Sequence, residues 1–378
     1  MKLKRGVSLS FFCIIASMKK MTNILFLFFL LVVIIPFKVY AQQNEKSFKG
    51  IVIDSKEVAC SEVLEEMYVC FEYTVKVKDT GEEIVTSPTL SETGGPKFVE
   101  KDKVIITFIS DEFNNEDWSI TGYDRNSSIL VLIAIFSVIA IVIGRRQGIG
   151  SLISLAFTVL ILYVWAVPKI LGGSDVIFIG VSTVILTLLV IMYASHGFNK
   201  KTTIATVSSV IGIIVVGVFA KIFSNLIRVD GSGSEEAFLL SSQTGGSIDL
   251  AGVFFISILI GAMGVLDDVV MSQVSAIQEL YRANDRLTSK ELYKQAMNIG
   301  RDHISSMVNT LFIAYAGSSL AVVMLLTYSS GGIENILKID VIAEEIVRTL
   351  TASIGILAVV PISSFIAANL IPKSNFKK

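Results

Sequence analysis

Two neighbouring acids, Asp267 and Asp268, interrupt an otherwise apolar stretch, Gly261-Ala-Met-Gly-Val-Leu-Asp-Asp-Val-Val-Met-Ser-Gln-Val-Ser-Ala-Ile-Gln-Glu-Leu280. In a helix that crosses a bilayer, a carboxylate costs about 2.5–3.5 kcal/mol at the centre and less near the interface. Two explanations compete. Either the acids hold a proton, cation or solute, or they are interfacial acids that end the span. Successive helical residues point about 100° apart, so only one of the two faces the interior of a bundle. A second polar stretch, Ile299-Gly-Arg-Asp-His-Ile-Ser-Ser-Met-Val-Asn-Thr-Leu311, brings Arg301 and Asp302 to the expected level of the first pair. An Arg–Asp pair across the two helices would neutralise both. Asn309 lies deeper and calls for an interhelical hydrogen bond. His303 has a side chain that titrates near neutrality and is suited to proton relay, although contact with lipid headgroups is the commoner role there. Glu344 and Arg348 stand one helical turn apart and are spaced to pair, and Asn369 returns a polar group near the far end of that helix.

Other chemistries find no support. No Ser/His pair, His-Glu-x-x-His or Gly-x-Gly-Asp signature is present, so an enzyme is not expected. Three cysteines (Cys13, Cys60, Cys70) and two histidines (His196, His303) form no metal-ligand cluster, and no cofactor motif is present. Nucleic acid is not a suggested partner.

The elements that carry these residues are membrane helices. The 378-residue chain is 52% hydrophobic and only 17% charged, against about 25% charged in ordinary soluble domains. Apolar runs at 127–144, 149–167, 175–195, 203–224, 250–269, 304–327 and 346–371 are each long enough to cross a hydrocarbon core of about 30 Å. Arg145, Arg146, Lys200, Lys201, Arg282, Arg286, Lys290, Lys294, Arg301, Lys373, Lys377 and Lys378 collect at every second junction, whereas the opposite junctions hold only Lys169, Arg228 and Lys338. By the positive-inside rule the C-terminus is cytoplasmic and residues 42–125 are extracytoplasmic. Tyr163, Trp165 and Tyr328 mark outer interfaces.

Small residues let membrane helices approach closely. Ser306, Thr310, Ala314 and Ser318 recur every fourth residue, Gly261 and Gly264 line the preceding span, and Gly212 and Gly217 the one before it. A compact bundle is expected from these faces. The loop 271–303 is expected to be cytoplasmic, with a helix from Ser289 introduced by a Thr288/Glu291 capping box. Such a helix either connects two spans along the inner surface or recognises a cytoplasmic partner.

Residues 1–41 read as a signal peptide or an N-terminal anchor. Lys19 and Lys20 precede an apolar core at 24–35, Pro36 breaks it, and Val39-Tyr40-Ala41 has the small residues of a cleavage site. Translation from Met18 or Met21 would make the earlier residues redundant. Beyond it the period changes to two: Val69, Phe71, Tyr73, Val75 and Val77 alternate with polar residues, as in a half-buried strand. Asp79-Thr80-Gly81 reads as a hairpin turn. Further strands are expected at 48–54, 83–87 and 103–109, with Gly94-Gly95-Pro96 as a breaker. Cys60 and Cys70 share the oxidising side as a disulfide or as two thiols. Asp111, Glu112, Glu116 and Asp117 form either a solvated loop or a site for a hard cation. The expected architecture is an α-helical transmembrane bundle of about seven spans (126–378), preceded by a small all-β extracytoplasmic domain (42–125).

Three stretches resemble the YibE/F family of bacterial membrane proteins: Gly261–Leu280 with Asp-Asp-Val-Val-Met-Ser at its centre, Ile299–Leu320 with Gly-Arg-Asp and Asn-Thr-Leu-Phe-Ile-Ala-Tyr-Ala-Gly, and Glu344–Leu370 with Glu-Ile-Val-Arg and Ser-Ile-Gly-Ile-Leu. Members resemble one another in a small residue followed by one Asp at the first stretch. Asp268 is the preferred match, and the second acid departs from that pattern. The resemblance implies the architecture and the choice of residues without naming a substrate.

Two functions fit these readings. A transporter or permease for a small solute or ion requires Asp267, Asp268, Arg301, Asp302 and Asn309 to converge on a polar cavity, although no inverted repeat is evident. A non-transporting sensor or scaffold, with an outer docking domain and a homo-oligomeric or other membrane partner, requires those groups to pair off.

Overall fold

The computed structural model describes residues 46–59, 69–91, 96–110, 116–330 and 338–372. The expected signal segment, Cys60, Gly94, Gly95, Asp111, Glu112, Lys373, Lys377 and Lys378 lie outside the described residues. The chain divides into two compact units, with the boundary between Ile139 and Ala140.

The first unit is an antiparallel sheet. Its strands are β1 (Lys46–Val58), β2 (Val69–Val77), β3 (Glu83–Val85), β4 (Thr89–Ser91), β5 (Lys103–Ser110) and β6 (Glu116–Tyr123). They are ordered β3-β2-β1-β5-β6, with β4 also paired to β2. The two-residue period of β2 buries Phe71, Tyr73, Val75 and Val77 against Val52, Phe98, Val104 and Ile106. Tyr73, fully buried, keeps its phenol oxygen satisfied by accepting from the backbone N–H of Lys97 at 2.9 Å. The turn between β2 and β3 depends on Gly81, whose φ of +74° suits glycine and whose N–H donates to the Val77 carbonyl at 2.9 Å. Cys70 is buried and disulfide-bonded. Glu116 and Asp117, expected in an acidic loop, instead open β6, pairing with Ser110 and Ile109 of β5.

The second unit is helical, and its first helix begins in the other unit. Among the described residues six helices are long and apolar enough to cross a membrane: α1 (Asn126–Arg145), α2 (Gln147–Leu171), α3 (Val176–His196), α4 (Lys200–Ile227), α6 (Leu250–Ala283) and α9 (Asp340–Leu370). The described residues also form a short α5 (Glu235–Gln243) and the pair α7 (Ser289–Ser318) and α8 (Leu320–Ser330). The break between α1 and α2 falls at Arg145, with φ +51°, and the chain folds back so tightly that a Cβ on Gly148 would come within 2.0 Å of the Ala140 carbonyl oxygen. Within α2, residues Ile161–Ala166 widen into a π-helical turn just ahead of Pro168. A proline lacks its N–H and crowds the carbonyl four residues earlier, so a wider turn accommodates it.

Side-chain caps set most of the helix starts. Asp175, Asn199 and Asp249 accept from the backbone N–H groups of Phe178, Thr202 and Gly252 at 2.6, 2.9 and 3.0 Å. At α7 the capping box forms in both directions: Glu291 N–H donates to the Thr288 hydroxyl at 3.3 Å, and Thr288 N–H to the Glu291 carboxylate at 2.8 Å.

Two boundaries differ from expectation. The span 250–269 continues as one helix to Ala283, so the anticipated loop 271–303 is made of the end of α6, a short turn and the start of α7. The apolar pattern fades after Asp268, but Val269, Val270, Met271, Val274 and Ile277 remain buried, and that packing sustains the helix. The span 304–327 is split between α7 and α8 at Ser319, and neither is among the six long apolar helices.

At the centre of this unit α4, α6 and α9 pack together. Leu266, fully buried, lies where a Cβ on Gly212 of α4 would come within 3.5 Å of it and one on Gly355 of α9 within 3.9 Å. Gly180 of α3 is seated directly on Ile256 of α6.

Candidate functional site

The residue after that convergence point is Asp267. It is 7% exposed, whereas Asp268 is exposed, so of the two acids the structure buries the first. Their 100° separation produces this outcome, turning one side chain into the packed interior and its neighbour out of it. Asp268 donates its backbone N–H to the Asp267 carboxylate at 2.9 Å. The ion pairs among the described residues are Lys49–Asp124, Arg282–Glu279 and Arg348–Glu345, so Asp267 has no cation within 4.0 Å there. Asp267 also lies close to the middle of a 34-residue helix, rather than toward its end.

The other expected members do not join it. The Arg–Asp pair is absent, because α7 turns Leu292, Ala296, Gly300 and Leu311 toward α6 and α9. Arg301 and Asp302 follow Gly300 and are thrown outward, and Asn309 shares that exposed side. Asn309 makes no interhelical hydrogen bond among the described residues. The same rotation corrects the packing expectation: Ser306, Thr310, Ala314 and Ser318 are all exposed rather than seated on a neighbour. Of the two glycines expected to pack, Gly261 stands against the Tyr315 phenol, where a Cβ would come within 2.6 Å of its oxygen. Gly264 has nothing within 4 Å of such an atom.

The polar contact between α6, α7 and α9 is made instead by Gln273, which the sequence reading passed over. Its amide donates to the Ala296 carbonyl at 2.7 Å and to the Ser364 hydroxyl at 2.8 Å. Gly300 permits this approach, since a Cβ there would lie 3.1 Å from the Gln273 amide nitrogen. The available signal was an amide inside the apolar run Val269–Ile277.

A second polar group gathers at the other end of the unit. Buried Glu344 accepts from the Gly233 N–H at 3.0 Å, so the expected Glu344–Arg348 pair is replaced by Glu345–Arg348 at 3.9 Å. The Arg348 guanidinium sits over the Phe254 ring, 5.6 Å from its centre. Beside it, Phe312, Ala316, Ser319, Val323, Glu345 and Thr349 line an apolar cavity of about 220 Å³. In the loop before α5, bonds from Ser232 hold the Asp230 carboxyl below its usual range. No group of His, Cys, Asp and Glu with metal-binding spacing occurs among the described residues.

Six long apolar helices and a buried polar interior define a multi-pass membrane protein, one that also carries a small β unit. The chain matches the family described as YibE/F-like protein over residues 132–373 and belongs to it. No curated protein and no solved structure matches the chain.

Proposed function

We propose that the protein is a non-enzymatic transporter for a small solute or ion, in which Asp267 holds the transported or coupled cation. One observation carries this reading: a carboxylate is buried halfway along a membrane helix with no cationic side chain beside it among the described residues. Burying an ionised group without compensation is costly, and an ionisable residue inside a membrane bundle is retained for a task. A proton is the smallest cation that answers the charge. Lys200, Lys201, Arg282 and Arg286 flank the junctions at one end of the helices, which supports placing that end in the cytoplasm and the β unit outside.

The purified protein in liposomes, loaded with a pH-sensitive dye and challenged with pH steps and individual cations, tests the reading. Flux that is lost in Asp267→Asn and retained in Asp268→Asn supports it. Flux equal to that of protein-free liposomes for every cation, or equal in Asp267→Asn and the parent, overturns it. A sensor or scaffold is the second reading, favoured by the failure of Arg301, Asp302 and Asn309 to converge on Asp267.

A further inference from the structure

Strand β1 outruns its neighbour on one side. It has 13 residues, and β5 accompanies it only over Lys46–Ile51. Val52 closes that ladder, donating to the Asp102 carbonyl at 3.0 Å and accepting from the Lys101 N–H at 2.8 Å. Beyond Val52 the strand keeps β2 on one side, and among the described residues no strand lies on the other. The direction of its free backbone groups follows from β2. Tyr73 accepts from the Thr86 N–H at 2.9 Å and donates to the Thr86 hydroxyl at 3.4 Å, both on the side away from β1. In an antiparallel pair, opposed residues that exchange no bonds both point outward. Ser55 is opposite Tyr73, and Glu57 is opposite Phe71 two residues along. The N–H and C=O groups of Ser55 and Glu57 therefore face the open edge. There the Ser55 N–H is met by the carboxylate of Asp54, at 2.9 Å. Asp54, Lys56 and Glu57 are all exposed.

We propose that two copies of the chain pair antiparallel along this edge, Ser55 against the partner's Ser55, so that the sheet continues from one copy into the other. Such a two-fold interface must be complementary to itself. An antiparallel axis through Ser55 sets each residue before it against the one equally far after it in the partner. Asp54 then meets the partner's Lys56, and Lys56 meets the partner's Asp54. These side chains share one face of the strand, because side chains alternate with a period of two. Directly opposed pairs of this kind lie close enough to interact. The Ser55 N–H exchanges its own neighbour's carboxylate for the partner's backbone carbonyl, which releases Asp54 for the lysine. Charges on an edge usually deter pairing; here their order admits one register. An axis at Lys56 would oppose two lysines, and one at Glu57 two glutamates, whereas the axis at Ser55 opposes no like charges. The contact is small, and anchoring both copies in one membrane raises the effective concentration that sustains it.

The test uses the full chain in the membranes of the producing cells, oxidised with copper phenanthroline. Ser55→Cys is expected to give a thiol-reversible band at twice the monomer mass. The parent, and Asp79→Cys on the exposed turn after β2, are expected to give far less. In the Ser55→Cys background, Asp54→Lys and Lys56→Asp each oppose like charges and are expected to weaken association about tenfold. The combined Asp54→Lys/Lys56→Asp chain restores complementarity and is expected to recover the band. A thermal melt equal to the parent's confirms that each variant is folded. Energy transfer between separately labelled copies of the parent in liposomes gives a second reading that needs no change at Ser55. A band no stronger than that of Asp79→Cys, with energy transfer at the random level, overturns the proposal. So does a band unaltered by both charge reversals, or a cross-link to a different protein in place of the doubled band.

Discussion

The Gln273 amide lies 2.8 Å from the Ser364 hydroxyl, joining α6 to α9 through a bond buried in the apolar interior. Interhelical bonds of this kind contribute about 0.6 kcal/mol on average and up to about 1.7 kcal/mol in membranes. Gln273→Met, which keeps the volume but removes the donor, is expected to lower stability by about 1 kcal/mol. Unfolding in mixed micelles by added denaturing detergent measures it. Ser364→Ala should cost less in the Gln273→Met background than in the parent, and fully additive losses would show that the bond contributes nothing.

Glu344 and Gly233 provide a second test. With Glu344→Leu the Gly233 N–H loses its acceptor at a place where the chain passes close to the start of α9: a Cβ on Gly233 would come within 2.7 Å of the Val341 nitrogen. Gly233 is half-buried, so water replaces part of what the donor loses and the cost is about 1 kcal/mol. Glu344→Gln retains an acceptor oxygen and is expected to recover most of that loss, as read by the melting temperature.

Two glycines should behave oppositely. A Cβ on Gly150 would fall 2.6 Å from the Ala194 carbonyl oxygen and 3.0 Å from the Ser195 Cα, both backbone atoms that cannot rotate aside. Gly150→Ala therefore forces α2 and α3 apart, at about 1–3 kcal/mol. At Gly264 the space is open, and Gly264→Ala is expected to be neutral or to stabilise α6 by up to about 1 kcal/mol through helix propensity. Equal melting curves for the two variants would contradict both assignments.

At the start of α7, Thr288→Ala removes the cap and is expected to cost about 1 kcal/mol. The bonds from the Thr288 backbone and hydroxyl hold the Glu291 carboxyl below its ordinary value of 4.5. A depressed value means that its contribution is complete above that pH and is lost as pH falls through the lower folded value. Hydrogen exchange of the first turn of α7, followed from pH 7 downward, should accelerate below about pH 4.5 in the parent after correction for intrinsic rates, and show a smaller step in Thr288→Ala, which loses the hydroxyl bond and keeps the backbone one.

The span pattern was legible because an apolar run needs only composition to declare itself, and β2 because Phe71, Tyr73, Val75 and Val77 keep a strict alternation. The capping box at Thr288 and Glu291 is a local relationship, readable from spacing alone. The rotation of α7 is not local. Whether Gly300 or Arg301 faces the bundle is decided by Gln273 and Val360 on two other helices, so the reading that joined Arg301 to Asp267 had no means of choosing the face. The strand at Glu116–Tyr123 was hidden by its acidic beginning, although Trp118 and Ile120 alternate with Ser119 and Thr121.

The length of α6 carries one more consequence. Its 34 residues span about 51 Å, against about 30 Å of hydrocarbon. Even with tilt, part of the rod projects beyond the oily layer. No proline interrupts it, so Asp267 and the turn at 284–288 are joined by one continuous helix. About 24 Å of unbroken helix separates Asp267 from the last residue before that turn, so the distance between the two is fixed by the helix itself.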